Sequence, residues 1–271
     1  MKRKTSSGPK PSLNPSLFIF GLIGVIVIIF ILIPVSRERL KLPKAEGLVS
    51  FVIDDWGYNL NNVNLVLQID RPITLAVLPR LRYSKEIIEK VRSNSSECDI
   101  ILHLPLESKS GRSPEPDTIR CNTDKDKILD ILEKDIKSVP GAIGVSNHQG
   151  SRVTENRTVM KTILKELKKR NLFFFDSRTT SLSVARHVAR EIGLRSAERD
   201  VFLDLAEKKD EKLYRAYIKK QIMELVKIAR QKGSAVGIGH DKRLTLEVIK
   251  ESVPEIEKEN IRIVPLKKLV R

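Results

Sequence analysis

Leu48-Val-Ser-Phe-Val-Ile-Asp-Asp-Trp-Gly57 is the stretch whose reading decides the fold. An apolar, β-branched run that stops at two acids and a glycine reads as a buried strand delivering carboxylates to a loop. Polar groups ending a buried strand point into the pocket at the carboxyl edge of a parallel sheet, where α/β folds bind ligands. Side chains alternate along a strand, so Asp54 and Asp55 face opposite ways if extended geometry persists. One could then hold a metal while its neighbour handles a proton. Alone, the pair is more often an acidic turn or a helix cap. Repetition favours a site: a strand followed by a polar cluster recurs downstream at His103 to Glu107, Asn147 to Arg152, Asp176 to Thr179, Asp204 and Gly239-His240.

Working outward, apolar runs at 73–78, 99–102, 142–145, 172–175, 201–203, 235–238 and 261–264 predict further strands. Helical spacing predicts helices at 59–69, 85–93, 124–138, 155–170, 183–192, 211–231 and 244–251 between them. Residues 108–122, rich in Ser, Gly and Pro, read as a long loop over the site. Strands alternating with helices imply a parallel sheet. Seven or eight such units, most ending in polar residues, predict an α/β fold closed, or nearly closed, into a β/α barrel. The alternative is an open doubly wound sheet. The missing glycine-rich phosphate loop weakens its nucleotide-binding version.

At 271 residues and 41% hydrophobic, the chain can bury a sizeable core. Its formal charge of +16 suits anionic surroundings. There is no zinc-finger spacing or convincing helix-turn-helix, and aromatics are only 5%, so neither stacking platforms for single strands nor a nucleic-acid partner is expected. Much of the basic charge lies on helix faces such as 161–170, which read as solvated.

Residues 1–16 form a short basic end, expected to be cytoplasmic, ahead of an uncharged run at 17–35 of bilayer-spanning length. No small-x-small cleavage site follows, so an uncleaved transmembrane signal-anchor is expected; a cleaved signal peptide is the runner-up. The positive-inside rule does not decide orientation, because Arg37, Arg39, Lys41 and Lys44 flank the other end. Residues 36–47 read as a linker to a domain at 48–271. Cys98 and Cys121 could pair in an oxidising compartment, or be an unrelated buried residue and loop residue.

Of the 4 histidines, His103, His148 and His240 follow predicted strands, whereas His187 falls on the polar face of a helix. A single such histidine is ordinarily just hydrogen-bonded. Three, with Asp54, Asp55, Glu107, Asp176 and Asp204 on one rim, are costly to collect unless a cation or reaction uses them. Imidazole nitrogen with carboxylate oxygen suits zinc.

The ordered set Val52-Ile-Asp-Asp-Trp-Gly57, His103-Leu-Pro-Leu-Glu107, Asn147-His-Gln-Gly-Ser151, Asp176-Ser-Arg-Thr179, Val201-Phe-Leu-Asp204 and Gly239-His240 resembles the divergent polysaccharide deacetylase family. That family is similar to the NodB-type carbohydrate esterases, which implies a distorted (β/α)7 barrel and a catalytic divalent metal. The resemblance implies Asp54 as general base, Asp55 and His103 as metal ligands, and His240 as general acid. Where the wider group has the second histidine of a His-x-x-x-His motif, this chain has Glu107. His148 is the candidate third ligand and Glu107 the competing one. The group's Arg-Pro-Pro-Tyr motif is absent, leaving Arg152 or Arg178 to replace its arginine. Asp176 and Asp204 would orient the reacting groups.

The activity so implied is metal-dependent removal of acyl groups, acetyl foremost, from an envelope polysaccharide by a domain outside the cytoplasm of a bacterium, anchored once in the inner membrane. The alternatives are an inactive barrel that binds glycan or a partner protein, and hydrolysis of some other amide or ester.

Overall fold

The opening stretch folds as β1, Gly47–Trp56, buried along nearly its whole length. On one flank it pairs with β8 (Ser234–His240), from Leu48 to Asp54. On the other it meets β9 (Ile261–Ile263) at Gly47 to Val49, and then β2 (Ile73–Val77) from Phe51 onward. The remaining strands are β3 (Cys98–Leu106), β4 (Gly144–Gln149), β5 (Phe173–Asp176), β6 (Ser196–Glu198) and β7 (Val201–Phe202). They run in the order β6-β5-β4-β3-β2-β1-β8-β7, every pairing parallel. The computed structural model describes residues 45–94, 97–111, 115–206 and 210–271, and residues from Ala45 to Arg271 form one compact unit.

Both faces of the sheet are buried, which is why its strands read as unbroken apolar runs. On the outer face, Phe51, Ile53, Leu75, Leu102 and Phe174 pack with the helices. These are α1 (Val63–Leu67), α2 (Ser84–Asn94), α3 (Lys125–Ser138), α4 (Arg157–Lys169), α5 (Ala185–Glu191), α6 (Glu211–Lys232) and α7 (Arg243–Lys258). Side-chain caps start three of them: Asp124, Asn156 and Asp210 accept from the backbone N–H of Lys127, Val159 and Leu213. On the inner face a second apolar cluster gathers Val52, Ala76, Ile101, Phe175 and Ile238, with Val264, Leu266 and Leu269 from the C-terminal turn packed into it.

The sheet curls into a half-barrel, more open than the closed or nearly closed β/α barrel expected. β6 pairs with β5 and β7 with β8, and Arg199-Asp200 carries the chain across between them. There Arg199 N–H donates to Asp176 O and Asp200 N–H to Val236 O. Three- and two-residue strands are too short to make a full stave, and Ser196-Ala-Glu198 has no apolar run by which β6 could be predicted. Helix α7 runs on through Pro254 to Lys258, beyond the predicted end at 251, because Ser252 and Ile256 are buried on its inner side.

Cys98 opens β3 and Cys121 lies beyond its far end, and no disulfide joins them. Roughly 25 Å of strand keeps them apart. Among the described residues no helix is long and apolar enough to cross a membrane. The expected basic end, the expected span at 17–35 and nearly all of the expected linker lie outside the described residues.

Candidate metal centre

The inner face turns polar at the carboxyl ends of the strands. Asp54 is the last inward residue of β1, in register with His240 of β8. It is 3% exposed, and its Oδ1 has no hydrogen-bond partner among the described residues. His103 sits inside β3, which continues past its predicted end, and faces Ser146 of β4 across the ladder; His103 Nδ1 and Ser146 Oγ are 2.7 Å apart. His148, two residues along β4 and on the same face, stands edge-on to His103 with ring centroids 5.0 Å apart.

Asp55 departs from strand alternation. Its φ is +68°, and the β1–β2 register slips between Ile53 and Trp56. This bulge swings Asp55 to the same mouth as Asp54, where alternation alone predicts opposite faces. Asp55 Oδ1 lies 3.3 Å from His103 Nε2 and 3.0 Å from His148 Nδ1, while Asp54 Oδ2 is 3.6 Å from His103 Nε2. One donor atom from each of Asp55, His103 and His148 falls within a mutual 4.8 Å. Two imidazoles and a carboxylate at that spacing fit a zinc-like ion, with room for further ligands.

The two aspartates titrate differently. Burial raises Asp54, with His103 and His240 only partly opposing it. Burial also pushes Asp55 upward, but its hydrogen bonds to His103 and His148 outweigh that and hold it well below the usual carboxylate range. Asp54 is thus the better proton acceptor, and Asp55 the better permanent anion.

His240 is built from behind. Its Nδ1 is 2.6 Å from Asp204 Oδ1, and its backbone N–H donates to Asp204 Oδ2. Thr245 Oγ1–H donates to that same oxygen, and Tyr214 O–H to the Asp204 carbonyl. Burial lowers the His240 pKa, yet the Asp204 carboxylate raises it overall. Gly239 makes the arrangement possible, because a Cβ there would come within 2.6 Å of the Thr245 methyl. Phe202 stacks on the imidazole at 6.1 Å. A cavity of about 320 Å³ opens over Asp54, Asp55, His103, His148, Phe202 and His240. A larger one, about 570 Å³, lies between α3 and α4 and is lined largely by lysines on solvated faces, away from these groups.

The other expected residues lie elsewhere. Glu107, the competing ligand, accepts from Cys121 N–H through Oε2 and faces Arg152 through Oε1; it braces the loop and stands outside the cluster. A residue four positions past His103 lies on the same face only if the strand continues, and β3 ends at Leu106. Asp176 accepts from Ser183 O–H and Arg178 N–H, so it shapes its own loop and is bonded to none of the histidines. Arg152 pairs with Glu107 and Arg178 with Glu198. A third arginine, Arg199, donates to the Ser177 and Arg178 carbonyls and lies 3.7 Å over the ring of Phe202, which lines the cavity. Burial and the neighbouring Arg178 bring its pKa down to about 10.

Sequence reasoning also missed Ser146 and Glu115. Ser146 precedes His148 by two residues, and strand parity would have found it. Glu115, in the 108–122 loop, carries no periodic signal.

A parallel half-barrel that gathers imidazoles and carboxylates at the carboxyl ends of its strands defines the class: an α/β barrel-like fold with an ionisable mouth. The chain belongs to the divergent polysaccharide deacetylase family, whose model matches residues 51–270. It is 33% identical over 214 residues to the uncharacterized protein YibQ of Escherichia coli (strain K12), covering 79% of this chain and 65% of that one, so it spans just under two thirds of that relative. Its fold is similar to that of the uncharacterized protein ATU2773 from Agrobacterium tumefaciens C58, with a TM-score of 0.75 and 23% identity over 83% of this chain and 89% of that one. A more distant likeness is the catalytic domain of a peptidoglycan N-acetylglucosamine deacetylase from Eubacterium rectale, with a TM-score of 0.53 and 13% identity over 83% and 90%. At these identities the structural likenesses concern the fold alone.

Proposed function

We propose that this chain is a divalent-metal-dependent hydrolase, with zinc as its ion, that removes acetyl groups from an envelope polysaccharide. The observation that supports this best is the convergence of Asp55, His103 and His148 within 4.8 Å beside a buried, partly unpartnered Asp54. Asp55, through Oδ1, and one nitrogen of each histidine would hold the ion. When bound, it supplies Lewis acidity, lowering the pKa of water and polarising the acyl carbonyl. Asp54, its pKa raised by burial, accepts the proton of the attacking water. His240, held at Nδ1 by Asp204, is left to donate from Nε2 to the departing amine or alcohol. Attachment through residues 17–35, with the domain outside the cytoplasm, is part of the same proposal, supported by the uncharged run there.

The test uses the full chain in mild detergent. Elemental analysis is expected to find equimolar zinc, and acetate release is expected from acetylated glycans. Asp55→Ala and His103→Ala should each lose the ion and the activity. His240→Asn should keep the ion and lose about 10²–10⁴-fold in kcat. Zinc content unchanged in both ligand variants would falsify the metal centre. An ion-loaded chain that releases acetate from no acetylated glycan would overturn the deacetylase reading and favour a barrel that binds glycan or a partner without turning it over.

A further inference from the structure

Glu115 is the buried acid at this mouth that neither the expected ligand set nor the proton-transfer roles use. Its side chain is 4% exposed, and Oε1 lies 3.2 Å from His148 Nε2. Tyr58, from the loop after β1, donates its O–H to that same oxygen at 2.5 Å. The segment carrying Glu115 is fixed on several sides. Ile119 bridges to Leu106, and backbone bonds tie it to Pro105 and Glu107 at the end of β3. Thr118 O–H caps the Glu115 carbonyl, and Arg80 holds Pro116 O and the Asp117 carboxylate.

The two ring nitrogens of His148 therefore have separate destinations. Nδ1 faces Asp55 at 3.0 Å, and Nε2 faces Glu115. His103 is the reverse, with Nδ1 on Ser146 Oγ and Nε2 toward Asp55. A carboxylate accepts only, so Glu115 keeps hydrogen on Nε2, and Nδ1, facing Asp55, is the nitrogen left for the ion.

Resting on the metal reading above, we infer that Glu115, braced by Tyr58, is the positioning residue that fixes His148 as an Nδ1 ligand. The segment from Glu115 to Ile119 thereby contributes to the centre without touching the ion. It also accounts for how a histidine on β4 can serve: presented through Nδ1, the ring reaches a point that His103 approaches through Nε2. Outer carboxylates of this kind set ring orientation and raise ligand basicity, and removing one costs about 10–100-fold in metal affinity.

The experiment takes the full chain with ¹⁵N-labelled histidine, in wild-type, Glu115→Gln and Tyr58→Phe forms. Zinc affinity is read by competition with a chromophoric chelator, and ring coordination by long-range ¹H–¹⁵N spectra of the zinc form. Wild type is expected to show His148 bound through Nδ1 with hydrogen on Nε2, and His103 the opposite way round. Glu115→Gln should weaken zinc about 10–100-fold and shift the His148 ring signals while sparing those of His103. Tyr58→Phe, which leaves the carboxylate in place, should do the same more weakly, by about threefold to tenfold. His148 bound through Nε2, or zinc affinity indifferent to both substitutions, overturns the inference and leaves the metal reading standing. A wild-type chain that takes up no zinc overturns both.

Discussion

His148 shows how strongly single contacts set the chemistry of this mouth. Burial alone would lower its pKa, but the carboxylates of Asp55 and Glu115 on its two nitrogens outweigh that and raise it to about 9. In the ion-free protein it is therefore protonated at neutral pH, and a metal arriving at Nδ1 has to displace a proton. The sign follows directly. Zinc affinity should rise with pH, about tenfold per unit, until the pH passes about 9. Titration calorimetry between pH 6.5 and 8.5, in buffers of differing ionisation enthalpy, checks both the slope and the released proton. An affinity flat across that range would mean that His148 is not a ligand. Asp55 adds no slope of its own there, since its carboxylate is held ionised well below these pH values.

At the scale of the elements, what was legible followed period and parity. The buried run before Asp54 gave β1, and the histidines ending or interrupting apolar runs identified the mouth. Inward parity then groups Asp54, His103, Ser146, His148 and His240. What was illegible broke those rules. The bulge at Asp55 depends on a left-handed residue that Asp tolerates but nothing in the sequence marks. Arg199 and Glu115 sit in short irregular segments, where neighbours in space and not in sequence decide orientation. Helix α3 gives a third case. Its apolar stripe predicts Ile128, Ile131, Leu132 and Ile136 inside, yet the side chain of Asp135 is fully buried. Arg80 Nε–H donates to its Oδ1 at 2.8 Å, while Oδ2 finds no partner among the described residues. Burial lifts Asp135 to about 6 despite Arg80. The folded state thus binds more protons than the unfolded chain between about pH 4 and pH 6, and stability from this group falls as pH rises through that window. Relative to Asp135→Asn, which cannot titrate, the wild type should lose about 2 kcal/mol between pH 4 and pH 7. Urea denaturation of both proteins along that range measures the difference, and parallel curves would refute the assignment.

For the whole molecule, the interior of the half-barrel is layered, and the layers have separate jobs. The polar mouth of Asp54, His103 and His240 rests on an apolar tier of Val52, Ala76, Ile101, Phe175 and Ile238. Beneath that tier lie Val264, Leu266 and Leu269, folded in from the last residues of the chain, with Val264 N–H donating to Val49 O. The C-terminal turn therefore serves as a floor, and the fold cannot be complete until it is in place. Leu266 is fully buried, so Leu266→Ala leaves a cavity and should cost about 2–5 kcal/mol. Against a total of about 5–15 kcal/mol for a domain, that is a large share, equivalent to a fall of roughly 5–15 °C in Tm. The apolar tier separates this floor from the proposed metal ligands, so the folded fraction should bind zinc as the wild type does. Thermal unfolding followed by circular dichroism gives the first quantity, and chelator competition well below the transition gives the second. A variant that keeps its Tm would remove the floor from the account of stability. One that keeps its Tm but loses zinc would mean that the mouth is coupled through the interior to the base, against the layering described here.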